Sequence, residues 1–86
     1  MDHQEHAVIE ARILALTGAR GPEKSVCPSE IARDLASAEW RSLLGPVRDA
    51  AVRLVQTGQI EVLRKGKPVD AAAVRGVIRL RAKERR

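Results

Sequence analysis

The chain contains no phenylalanine and no tyrosine, and its single tryptophan is Trp40. A hydrophobic core must therefore be assembled from Ile, Leu, Val and Ala, with Trp40 as its one large piece. On that footing Trp40→Ala is expected to cost roughly 3–5 kcal/mol, as truncations of buried aromatic residues do. The one cysteine, Cys27, excludes an internal disulfide and suits a reducing compartment. No apolar run approaches the roughly 20 residues that a membrane-spanning helix needs. Met1 to His6 offers neither the basic nor the apolar segment of a secretory leader, so a cytoplasmic location is expected. The only histidines, His3 and His6, stand three apart with no further histidine, which argues against a metal site. A nucleophile–base pair, a glycine-rich phosphate loop and a carboxylate dyad are all missing. Neither an enzyme nor a cofactor is expected.

What is present is charge, and it is unevenly placed. Residues 1–40 hold four Lys/Arg against seven Asp/Glu, a balance of −3; residues 41–86 hold twelve against four, a balance of +8. Such asymmetry predicts one acidic side and one side facing a polyanion. The competing reading is a solubilising basic tail in an Ala- and Arg-rich chain.

At 86 residues the sequence is expected to form one domain, frayed at 1–5 and 83–86. From Trp40, the residues Leu43, Leu44, Val47, Ala50, Ala51, Leu54 and Val55 recur at helical spacing. Gly58 stops that helix, and Ile60 and Val62 then alternate with polar neighbours, so the period falls toward that of a strand. Gly45-Pro46 interrupts the stripe. Either the helix kinks there, or a short helix over 40–44 precedes a new one over 46–57 with Pro46 in its first turn; the second is preferred. Upstream, 6–17 reads as a helix with Ile9, Ile13 and Leu16 on one face, broken by Gly18. Its other side carries Val8, Ala11 and Ala15, which is either neutral helix-forming surface or a homodimer contact. Residues 25–27 read as a short strand ending before Pro28. Ser29 is expected to cap a helix reaching Ala36. Strands are expected over 60–64 and 77–82. The connection from Lys65 to Gly76 is too long for a tight hairpin, and Asp70 is expected to start one helical turn within it. The fold class is thus α+β: a winged helix-turn-helix of three main helices and a small antiparallel sheet.

Cys27-Pro28-Ser29-Glu30-Ile31-Ala32-Arg33, Trp40-Arg41, Val47-Arg48, Gly66-Lys67-Pro68-Val69-Asp70 and Arg75-Gly76-Val77-Ile78-Arg79-Leu80 form an ordered set. This set resembles a family of short bacterial winged-helix proteins designated only as a domain of unknown function. The resemblance spans residues 7 to about 82 and implies the fold, with no activity to carry over.

If helices two and three dock as a helix-turn-helix does, Arg41, Ser42 and Arg48 approach bases or phosphates of duplex DNA, and Arg53 lies farther along for phosphate. Arg64, Lys65 and Lys67 cluster at the wing. Four to six phosphate contacts from these cations would give a salt slope of roughly −4 to −5. Against this stands the less favoured reading of Arg48 and Arg53 as solvated helix charges, with Asp49 as a partner for Arg53. A winged helix serves protein–protein contacts as readily, so a protein partner is the alternative, with Pro68 to Val74 as its docking surface.

Overall fold

A computed structural model describes residues 3–74 and 76–83, with side chains from His6 onward. The elements are α1 (His3–Arg20), α2 (Pro28–Leu35), a 3-10 turn (Trp40–Leu43), α3 (Leu44–Gln56), β1 (Ile60–Arg64), β2 (Lys67–Pro68) and β3 (Arg79–Ala82). The three helices and the three-stranded antiparallel sheet make an α+β arrangement compatible with winged-helix topology.

Helix α1 buries Ile9, Ile13 and Thr17, one turn apart. The Thr17 hydroxyl donates to the Ile13 carbonyl at 2.8 Å, which satisfies its polar group inside the core. The helix runs through Gly18 and ends three residues later than expected. Gly18 adopts helical geometry without clash, and the following Ala19 and Arg20 are good helix formers. At its other end α1 starts at His3, inside the segment expected to fray; residues 1–2 and 84–86 lie outside the described part.

Helix α2 begins two residues earlier than Ser29 implied. Cys27 is the N-cap and Pro28 takes the first helical position, where its missing N–H is no loss. Glu30, at the third position, reaches back and accepts the Cys27 backbone N–H at 2.8 Å. The sequence signal was there: Pro at N1 and Glu at N3 outweigh a Ser hydroxyl as markers of this helix start. The strand expected over 25–27 reduces to one bridge, with Val26 and Leu80 exchanging both backbone bonds at 2.7 Å.

The break at Gly45-Pro46 resolves as a short helix followed by a new one. A 3-10 turn over Trp40–Leu43 leads into α3, whose first turn contains Pro46. At the far end Gly58 N–H bonds Val55 O and Gln59 N–H bonds Leu54 O, both at 3.0 Å, with Gly58 at φ +77°. This pair is a Schellman closure, and it delivers the chain straight into β1.

The long connection between β1 and β3 is present as expected, but it opens with an unexpected strand. Lys65 (φ 54°) and Gly66 (φ 80°) form a two-residue hairpin turn with both residues left-handed, and β2 pairs Leu63 with Pro68 and Arg64 with Lys67. Pro68 is tolerated because β2 is an edge strand. The helical turn at Asp70 is present, with Val74 N–H on Asp70 O at 3.0 Å and Ala72 N–H on the Asp70 carboxylate at 3.0 Å. β1 is central, between β2 and β3, and the Val26 bridge lies on the far side of β3. Residues 77–78 precede the paired part of β3, although Ile78 still points into the core and Val77 is 80 % exposed.

The core is aliphatic throughout: Ile9 and Ile13, Val26, Ile31 and Ala32, Val47, Ala50, Ala51 and Leu54, Ile60 and Val62, Ile78 and Leu80. Trp40 is not part of its sealed interior. It is half-buried at the edge, packed against the cluster, so the full burial behind the 3–5 kcal/mol expectation is not met. The reason is geometric: helical spacing from Trp40 does not persist when residues 40–43 form a tighter 3-10 turn.

Candidate nucleic-acid interface

Folding divides the expected site cations into those with internal partners and those without. Arg53 turns inward against α1, where its Nε donates to Glu10 Oε2 at 3.1 Å and its Nη2 is buried without a partner. It is not presented outward for phosphate, and Asp49 is not its partner. Arg48 leans toward the segment after β2, and its Nη1 donates to Gly76 O at 3.0 Å. That segment packs over the same flank of α3, with Ala71, Ala72 and Val74 facing Arg48, Asp49 and Val52 across a crevice. The outward residues of α3 are therefore Gly45, Asp49 and Gln56, which include a carboxylate and no cation. A base-reading role for Arg48 would require it to leave Gly76.

Ser42 is exposed, but its hydroxyl donates to Glu39 O at 2.7 Å and closes the local turn. Arg41 is exposed, with its guanidinium carbon 4.5 Å from the Trp40 ring centroid. Arg64 is half-buried and lies against Gly76, where a Cβ would collide with its Nη1. Lys65 lies in the hairpin turn and Lys67 just after it; both are exposed, and their side chains have no ion-pair or hydrogen-bond partner among the described residues.

Beside the hairpin runs a groove of about 600 Å³ lined by Ser25, Leu63, Arg64, Lys65, Val77 and Arg79, together with Gly66 and Gly76. Among the described residues no carboxylate lines it. Arg79 and Ser25, which reading the sequence had not singled out, meet here across 54 residues: Arg79 Nε donates to Ser25 Oγ at 2.6 Å and Nη2 to Ser25 O at 3.0 Å. The alternation of Arg79 and Arg81 with Ile78 and Leu80 signals an outward-facing pair, but nothing local reveals their partners. Arg81 pairs with Glu61 at 2.7 Å across the strands.

Glu30 ties the base of this region together. It accepts from Arg20 Nη2 at 2.7 Å, lies 4.0 Å from Arg79 Nη2, and holds the Cys27 N–H. The Arg20 hydrogen bonds, with the Cys27 bond second, hold its carboxyl below the ordinary glutamate range. The folded protein thus binds this proton less tightly than the unfolded chain. The contribution is complete above the unfolded value of about 4.3 and drains away as pH falls below it through the folded value. Glu30→Gln should lower Tm by a few degrees at neutral pH, with the gap to the parent chain closing in acid. Melts at several pH values measure this, and a gap that persists at low pH would mean that the ion pair contributes nothing.

Cys27 is half-buried, with its Sγ 3.1 Å from Ser29 Oγ, and is part of the start of α2. Among the described residues no helix is long and apolar enough to cross a membrane.

Fold and surface together define a small α+β domain of three helices and a three-stranded sheet, with a basic hairpin beside a groove. The chain belongs to the family described as "Protein of unknown function (DUF3253)", whose model matches residues 6–83. No curated protein matches it.

Proposed function

We propose that this is a small cytoplasmic winged-helix DNA-binding protein, a regulator or accessory factor, that holds duplex DNA mainly through its phosphates. It is a binding protein, without catalytic machinery or cofactor. The observation that carries this reading is the pair Lys65 and Lys67, exposed and without a side-chain partner among the described residues, in and just after a two-residue hairpin turn. Phosphate contacts need charge placed without competing carboxylates, and these two lysines meet that condition. Arg41 adds a third exposed cation. Fluorescence anisotropy with labelled random duplex over a range of salt concentrations is the test; no binding at low salt overturns it.

The second reading is a protein-interaction module. It is favoured by Val77, 80 % exposed beside the groove that Leu63 also lines. In that case the segment from Pro68 to Val74 contributes the docking surface, and duplex DNA leaves the protein untouched.

A homodimer through α1 accompanies either reading. Val8 is 56 % exposed, and Ala7, Ala11 and Ala15 are exposed beside it, which leaves a smooth apolar face that a two-fold axis would bury twice. Light scattering should show twice the 9.4 kDa chain mass at high concentration. A constant monomer mass rules the dimer out.

A further inference from the structure

We propose that Arg33, Trp40 and Arg41 form a clamp for a backbone phosphate of a nucleic-acid strand; this rests on the DNA-binding reading above and extends it to a second contact point. Arg33 comes from the last turn of α2, and Trp40 and Arg41 open the 3-10 turn. The guanidinium carbons of Arg33 and Arg41 lie 4.2 and 4.5 Å from the centroid of the same ring. Each is within cation–π range, so one indole holds two positive charges.

That arrangement brings two like charges together, and among the described residues no carboxylate forms an ion pair with either. Asp34 is taken by Arg12, Glu30 is taken by Arg20, and Glu39 pairs with neither arginine. Arg33 and Arg41 are both exposed and have no carboxylate partner among the described residues. A guanidinium held over a ring and paired with no carboxylate keeps N–H groups available, and these are what grip phosphate oxygens. The ring also restrains both side chains before any ligand arrives, which lowers the entropy lost on binding. An anion reaching both forks would relieve the repulsion between them. A phosphodiester, with its charge spread over two oxygens, can accept from two forks together, and duplex DNA supplies such groups in series. The whole molecule is 34 Å in its longest dimension, no more than about one helical turn of DNA, so clamp and hairpin can act within one turn.

Trp40 is the only tryptophan and there is no tyrosine, so intrinsic fluorescence reads this site alone. Titrating the full chain with random duplex DNA at low salt should change Trp40 emission saturably, with the midpoint seen by anisotropy. Arg33→Gln should weaken duplex binding about tenfold, as loss of a charge-assisted contact does, and flatten the salt slope by about one unit. Arg33→Lys should retain the slope and lose affinity, since charge remains and the planar fork does not. If Arg33→Gln binds like the parent chain and Trp40 emission stays flat, while Lys65→Glu with Lys67→Glu abolishes binding, the clamp is overturned and the DNA-binding reading stands. If the parent chain binds no duplex, both fall. Emission that responds to polyglutamate and not to duplex overturns the phosphate assignment in favour of an acidic protein partner.

Discussion

Leu80→Ala should destabilise the protein by about 3–5 kcal/mol, the range for a buried leucine that leaves a cavity behind. Leu80 is fully buried, and its backbone exchanges both hydrogen bonds with Val26. It also pairs with Val62 across β1. Its side chain therefore stands where the sheet meets the helices, and no exposed neighbour can move in to fill the space. A domain of this size has only about 5–15 kcal/mol of total stability, so the loss is a large share of it. At about 4–8 °C per kcal/mol, Tm should fall by at least 12 °C. Val77→Ala, three residues away and 80 % exposed, should change stability by less than about 0.5 kcal/mol. Similar melts for the two variants would mean that the strand does not lie on the core as described.

The second large effect concerns the hairpin. Reversing both charges, Lys65→Glu with Lys67→Glu, should lower duplex affinity on the order of a hundredfold at moderate salt, since two favourable phosphate contacts become repulsive. The fold should be indifferent, because both side chains are exposed and make no hydrogen bond or ion pair among the described residues. The parent slope of log K against log salt should be roughly −3 to −4, for three to four contacts from Arg41, Lys65, Lys67 and Arg33. That is shallower than charge counting alone implies, because Arg48 and Arg53 are engaged within the fold. The double variant should flatten the slope by about two units. A slope near zero for the parent, or an unchanged affinity for the variant, would remove the hairpin from any DNA interface.

Much of the architecture was legible because it is written in local periods. The stripe from Val47 to Leu54, the stop at Gly58 and the strand over 60–64 each depend on neighbours within a few residues, and each lies where the sequence puts it. The turn at Lys65-Gly66 was missed because Lys-Gly is a weaker hairpin signal than Asn-Gly, and Pro68 argues against a strand until it is known to lie at an edge. Cys27 is a weaker cap signal than Ser29, whose hydroxyl is the better side-chain acceptor for a free backbone N–H, although Pro28 and Glu30 decide the matter.

The sequence by itself determined the aliphatic core, the order of helices and strands, and the concentration of positive charge after residue 40. Only the tertiary structure decided which of those charges are available. Arg48 meets Gly76 across 28 residues, Arg53 meets Glu10 across 43, and Arg79 meets Ser25 across 54. Arg33, unremarkable in the chain, shares a ring with Arg41 because α2 and the 3-10 turn fold together. The physical reason is range. Burial of a helix or strand face repeats every few residues and leaves a pattern in the sequence, whereas a guanidinium takes whichever acceptor the folded chain brings within about 3 Å, and that acceptor has no fixed spacing along it.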